Sequence, residues 1–400
     1  MFNNKEMQEK IIKAIRIIAL SLSVGVILGL AGGAFYLCIK KATDIRRAHP
    51  SFLLLLPIGA VLINFFYNWF EKEADGGTNR VIEAVYSTKP VSIKMTASIF
   101  VTTVFSHLCG ASVGREGAAL QLGGSVGYNL ARALRLNDDE KNMCVVMGMG
   151  ACFSALFGTP MAAAVFALEI AVVGRTNPRW LFSVLLSSYT ARFTAAWIGA
   201  PNLSMELAAE IPFSGIRIVY VSVIAAVCGL ISLAFVTLIR KGMKRSAEII
   251  SDPYLRGFFC GVALLMLSLL FRGQEYNGAG VEMIPVFMKG GAMPYQFILK
   301  IVFTLISVWA GYRGGEIVPA LYIGAALGSV FSNLFGVYPE LACGVGMVSL
   351  FCGVTNCPMA AFVIGIEIFG AGSAPYFLAA SAVAFICSGR RGLYSAQRWD

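Results

Sequence analysis

The chain has 400 residues, 57% of them hydrophobic and 14% charged, with mean hydropathy +0.73 and a formal net charge of +10. That excess of apolar residues excludes an ordinary soluble domain and places the chain among multi-pass membrane proteins. Ten cysteines without a CxxC pair and only two histidines argue against a disulfide framework or a histidine-built metal centre, and no GxxxxGK[ST] run supports ATP-driven pumping.

In chain order, the polar start with Lys5, Lys10, Lys13 and Arg16 leads into an uncharged run, Ile17–Ile39, too long for the apolar part of a cleaved signal. Further uncharged runs are Ser51–Phe70 and Ile218–Ile239, and Met143–Gly174, broken only by Glu169, is long enough for two segments. Gly257–Phe271 and Ile301–Tyr312 are shorter. We count roughly ten to twelve hydrophobic segments, several below the ~20 residues of a straight span, a pattern of broken helices. Basic residues gather at connections and ends: Arg240, Lys241, Lys244, Arg245 and Arg256 flank one loop, and Arg390, Arg391 and Arg398 lie at the C-terminus. Such placement is explained by retention on the cytoplasmic side, not by nucleic-acid binding, and predicts both termini inside an inner (plasma) membrane. Lys40, Lys41, Arg46 and Arg47, after the first span, run against that rule.

Ser112–Gly117, read SVGREG, sets an Arg–Glu pair between glycines amid apolar sequence, and a helical pattern follows to about Leu134. A carboxylate here costs roughly 2.5–3.5 kcal/mol at a bilayer centre by insertion scales. Helix N-termini attract anions, so Glu116 could hold a place that a permeating anion would otherwise take. The alternative is an ion pair with Arg115 or Arg313 that fixes two helices.

The chain is also written twice. Gly148–Ile170 and Gly346–Ile368, 198 residues apart, share ten identities in 23, including Pro-Met-Ala-Ala and Glu-Ile. Gly114-Arg115-Glu116 is echoed by Gly314-Gly315-Glu316, and Gly76–Ile82 more weakly by Gly278–Pro285. Two repeats follow, 1–200 and 201–400, joined at Ala200–Gly215. Duplicated membrane halves with interrupted helices build a midplane site between them. Glu169 and Glu367, identical in both repeats, read as packing residues that hold a helix end.

These residues resemble the CLC family of anion channels and proton-coupled antiporters over nearly the whole chain. GREG (Gly114–Gly117) is similar to the gating-glutamate motif, GGEIVP (Gly314–Pro319) to the second anion loop, and Gly76–Asn79 stands where chloride members carry GSGIP. Tyr394 matches the central tyrosine that faces the anion. The resemblance implies an all-α membrane fold of two inverted repeats with broken, tilted helices and a homodimer with one pore per subunit; because the last motif lies just before Asp400, no cytosolic regulatory domain is expected. Three departures point to the fluoride-exporting branch: GGTN replaces GSGIP, Glu316 lies inside the second loop, and Ile170 follows Glu169 where chloride/proton antiporters carry a second carboxylate. Val318, where that branch usually has Thr, runs the other way.

The resemblance therefore implies fluoride/proton antiport without cofactor or metal. Glu116 is the gate, Glu316 a proton carrier, and Gly77, Thr78, Asn79, Gly117, Ala118, Ile317, Val318 and Tyr394 line the anion path. The expected partners are fluoride or chloride, protons, membrane lipid and a second subunit. A passive chloride channel or chloride/proton exchanger is the alternative. A remote one is an intramembrane serine hydrolase built on Ser125 and His107.

Overall fold

A computed structural model describes residues 4–71, 76–87, 89–174, 177–200, 205, 211–271 and 274–399. Most of the expected connection between the halves, 201–204 and 206–210, lies outside the described residues. The first half supplies α1 (Asn4–Ala48), α2 (Leu56–Glu71), α3 (Thr78–Glu83), α4 (Lys94–Cys109), α5 (Glu116–Ala133), α6 (Asp138–Phe157), α7 (Pro160–Glu169) and α8 (Pro178–Trp197). The second supplies α9 (Gly215–Ile249), α10 (Pro253–Leu270), α11 (Ile284–Phe287), α12 (Gln296–Trp309), α13 (Ile317–Phe335), α14 (Pro339–Thr355), α15 (Pro358–Phe369) and α16 (Ala374–Ser388). Among the described residues, six helical stretches are long and apolar enough to cross a membrane, and four shorter apolar helices of 10–17 residues accompany them.

The two sets follow one plan, the inverted-repeat architecture expected from the sequence. The run Met143–Gly174 does hold two segments, because Gly158 turns the chain at φ 80° and Pro160 starts a new helix. The same break recurs 198 residues later at Asn356, φ 55°, followed by Pro358. Asparagine is among the few non-glycine residues that accept this left-handed conformation, so the turn survives the change of residue. The packing repeats as well: α5 crosses α6 with Gly123 against the Gly148 carbonyl, and α13 crosses α14 with Gly324 against that of Gly346. A methyl group at any of these positions would collide with backbone, which is how small residues let membrane helices approach.

Glu169 and Glu367 hold the halves together reciprocally. Glu169, at the end of α7, accepts from Met359 N (3.2 Å) and Ala360 N (2.8 Å) at the start of α15. Glu367, on α15, accepts from Met161 N (3.0 Å) and Ala162 N (2.8 Å) at the start of α7. Each carboxylate satisfies two backbone donors that a helix start leaves open. The helix ends held are N-termini of the opposite repeat.

Lys40, Lys41, Arg46 and Arg47 sit in the last turns of the 45-residue α1, not in a loop. Arg46 is buried and donates to His107 O (3.1 Å) and Gln274 Oε1 (2.8 Å), while Arg47 pairs with Glu282 at 3.1 Å. Two of the four charges that contradict the inside-positive rule are therefore committed to protein partners.

Candidate functional site

The two signature loops meet. Gly114 and Gly315 form an antiparallel bridge, Gly114 N to Gly315 O at 2.5 Å and Gly315 N to Gly114 O at 2.9 Å. Glycine is required for this approach: a Cβ on Gly315 would lie 2.6 Å from Gly117 N. Immediately after the bridge, α5 starts at Glu116 and α13 at Ile317, so two helix N-termini, each carrying roughly +0.5 charge, lie side by side. Buried serines and a threonine pin the loop in place. Ser112 N donates to Ser307 Oγ (2.9 Å), Ser112 Oγ lies 3.0 Å from Thr304 Oγ1, and Arg313 N donates to Ser106 Oγ (3.2 Å).

Glu116 is fully buried at this junction. Its carboxylate turns back toward the loop, with Oε2 accepting from Arg115 N at 3.0 Å and sitting 2.7 Å from where a Cβ of Gly114 would be. The Arg115 guanidinium contributes only a loose ion pair, Nε to Oε1 at 3.8 Å, and both of those atoms lack a hydrogen bond. Arg313, the other cation the sequence offered, lies over the Tyr67 ring at 3.4 Å. A carboxylate held for structure alone would be better partnered than this.

Two cavities reach residues next to this junction. The first, about 440 Å³, is lined by Arg46, Arg47, His107, Arg115 and Glu282 among others. The second, about 520 Å³, is lined by Gly77, Thr78, Asn79, Gln121, Glu316 and Tyr394 among others. The first reaches the C-terminal end of α1 (Ile39–Arg47) and the second that of α9 (Ile239–Ser246). Those helices are inverted-repeat counterparts; Arg115, next to Glu116 in the chain, lines the first cavity, and Gly314 and Glu316, from the loop across the bridge, line the second.

Five of the ten residues singled out in the sequence, Gly77, Thr78, Asn79, Glu316 and Tyr394, come together on the second cavity. Glu316 is the N-cap of α13 and half-buried on the wall; Ile317 and Val318 follow in the first turn of the helix, both buried. Gly117 and Ala118 are buried in the first turn of α5. Gly77, at φ 51°, caps α3 and turns the chain so that Thr78 faces Gly117, its hydroxyl donating to Gly117 O at 3.4 Å. Asn79 Oδ1 accepts from Ala396 N at 3.1 Å, tying this helix to the C-terminal segment. That segment is strapped to α14 by Leu393 N to Val354 O (2.7 Å) and Gln397 Nε2 to Thr355 O (2.7 Å), and to the first repeat by Tyr86 Oη to Ala396 O (2.5 Å). It places Tyr394 in the wall with a buried hydroxyl that has no hydrogen-bond partner among the described residues.

Gln121 is a site residue that sequence reasoning missed. Its Nε2 donates to Thr78 Oγ1 at 3.0 Å and it lines the same cavity. The signal was present: Gln121 is the lone polar side chain among Ala118–Leu122, one turn beyond Gly117. Ser125 and His107 are not brought together. Ser125 Oγ donates to Ser92 O (2.8 Å) and accepts from Thr96 (3.0 Å), while the His107 ring faces Gly114 O (3.4 Å). The serine-hydrolase reading has no geometry to support it.

Comparison with known proteins matches residues 59–389 to the model of a family described as voltage gated chloride channel. The chain is 32% identical to a chloride/fluoride channel protein of Pseudomonas syringae pv. tomato, covering 95% of this chain and 86% of that one. It is 26% identical to an H(+)/Cl(-) exchange transporter of Vibrio cholerae, with 88% and 81% covered. Among solved structures it is similar to a CLC-type fluoride/proton antiporter, with TM-score 0.93, 28% identity, and 97% and 99% covered. A slow cyanobacterial Cl-/H+ antiporter, at 18% identity and TM-score 0.81, shares the fold.

Proposed function

The chain belongs to the voltage gated chloride channel family, and we propose that it is a membrane transporter that exports fluoride in exchange for protons, with Glu116 as its gate. The observation that carries this reading is the position of Glu116, buried and under-bonded where the α5 and α13 N-termini meet, with its neighbour Arg115 on one cavity and Gly314 and Glu316 on another. A deprotonated Glu116 blocks the junction. Once protonated it loses its charge and its hold on the two helix termini, swings aside, and leaves the site to an anion. Alternating these states links anion and proton movement, and Glu316, on the wall of the second cavity, passes the proton.

Fluoride is small and strongly hydrated, so its water must be replaced by good donors. The Tyr394 hydroxyl and the backbone N–H groups around Gly77–Asn79, Gly117–Ala118 and Ile317–Val318 supply them. The likeness to a fluoride/proton antiporter over nearly the full chain supports the same substrate. Likeness to H(+)/Cl(-) exchangers favours chloride as the second reading. Against it, both Glu169 oxygens are committed to backbone donors and the next residue is Ile170, so no second carboxylate is free there.

The repeats we assign to 1–200 and 201–400. Exposed apolar side chains on α8 and α16, among them Phe182, Phe193, Trp197, Leu378 and Ile386, suit a homodimer contact. The basic residues at the ends of α9 and α16 support a plasma-membrane orientation with both termini cytoplasmic. Liposomes holding the purified protein test the central reading. Fluoride efflux should far exceed chloride efflux, be matched by proton uptake, and stop in Glu116→Gln. Comparable halide fluxes without proton movement would refute it.

A further inference from the structure

Between α9 and the segment that follows α16 lies an open groove of about 630 Å³, lined by Leu230, Leu233, Ala234, Thr237 and Leu238 and ending at Gly389, Arg390 and Arg391. From Leu230 to Arg240 the helix rises ten residues, about 15 Å at 1.5 Å each. That is half of the ~30 Å hydrocarbon core of a bilayer. The apolar wall therefore matches one leaflet in depth. Its charged end falls where the uncharged stretch of α9 gives way to Arg240, at the level of the headgroups.

The mouth is built for an anion attached to an apolar tail. Arg390 and Arg391 are exposed, no acidic residue lines the groove, and neither arginine has an ion pair among the described residues. Trp399 stands beside them, stacked on Phe385 at 6.0 Å with Arg390 over its ring at 5.6 Å, an amphipathic ring of the kind that sits at a membrane interface. We propose that this groove binds one anionic glycerophospholipid, with an acyl chain along Leu230–Leu238 and the headgroup phosphate on Arg390 and Arg391. Basic pockets between membrane helices hold such headgroups. The site is separate from the anion path but adjoins it. Arg391 precedes Tyr394 by three residues, and Arg240 donates to the Gly392 carbonyl between them. A bound headgroup would brace the segment that carries the tyrosine.

Native mass spectrometry of the purified protein titrated with phosphatidylglycerol or phosphatidylcholine tests the site without any reference to transport. One phosphatidylglycerol per subunit should bind in preference to phosphatidylcholine. Each arginine contributes about fivefold, so Arg390→Gln with Arg391→Gln should weaken that binding roughly thirtyfold. Ala234→Trp, which keeps both arginines and fills the tail groove, should also lose the lipid. Equal binding of the two lipids, or full binding by the double variant, would overturn the proposal. So would displacement of the lipid by millimolar inorganic phosphate with Ala234→Trp binding normally, which marks a free-anion site. A change of oligomeric state in Ala234→Trp would assign the groove to a subunit contact instead.

Discussion

Glu169 and Glu367 make the same two bonds at equivalent places in the two repeats, but their surroundings differ, and the difference is measurable. Glu169 is fully buried, and its bond to Ala360 N lies within the protein. Glu367 is half-buried, and its bond to Met161 N is open to the outside. A bond from N–H to a charged acceptor contributes about 1.5–3 kcal/mol, and truncating a helix cap to alanine costs about 0.5–2 kcal/mol. Glu169→Ala leaves two donors facing an apolar wall and should cost about 2–4 kcal/mol. For Glu367→Ala other polar groups can reach at least one donor, and the loss should be about 1 kcal/mol. In a chain of this size the larger loss corresponds to a fall in apparent Tm of about 2–5 °C. Thermal unfolding in detergent, followed by intrinsic fluorescence, gives the ranking. Glu169→Gln, which keeps one carbonyl acceptor, should melt between wild type and Glu169→Ala and should still couple fluoride to protons. Equal losses for the two alanine variants would refute the burial argument. Proton uptake abolished in Glu169→Gln while fluoride still moved would make Glu169 a proton carrier and not a cap.

Tyr394→Phe should slow fluoride efflux severalfold while leaving Tm unchanged or slightly raised, because the hydroxyl has no partner among the described residues; a lower Tm with normal efflux would give the tyrosine a packing role instead. Gly315→Ala places a methyl group 2.6 Å from Gly117 N, against backbone that cannot yield cheaply. It should part the two loops, costing 1–3 kcal/mol or more as overpacking does and abolishing transport measured by the same liposome assay. Wild-type efflux in that variant would mean that the Gly114–Gly315 bridge is not needed for the site.

Much of this fold could be read from residues because its repeats advertise themselves. The Pro-Met-Ala-Ala starts with a Glu nine residues later fixed α7 and α15, and SVGREG with GGEIVP fixed the starts of α5 and α13. What the residues did not disclose is which partners meet across long separations. Glu169 and Glu367 were legible as packing residues, but the partners they hold lie 190 and 205 positions away. Gln121 was passed over because a single glutamine in an apolar helix carries no motif; only α3, folded back against α5, gives it Thr78 as a partner. The charges of Lys40–Arg47 misled as loop charges because α1 runs to Ala48, well past the end of its apolar run at Ile39.

An inverted duplication on its own would make a symmetric junction, and a symmetric junction cannot treat its two faces differently. The Gly114–Gly315 bridge is nearly such an object, with a helix beginning on either side of it. Two features break the symmetry. Glu116 is the first residue of its helix and is buried, whereas Glu316 stands one step earlier, as the N-cap of its own, and reaches the cavity wall. The segment Leu393–Gln397 then crosses from α14 to the first repeat and closes one face with Tyr394. One loop thus carries a buried glutamate and the other a carboxylate on the wall of a cavity, while the strap adds a hydroxyl to that same wall. The different surroundings of the two glutamates follow from that one-residue offset between two copies of the same motif.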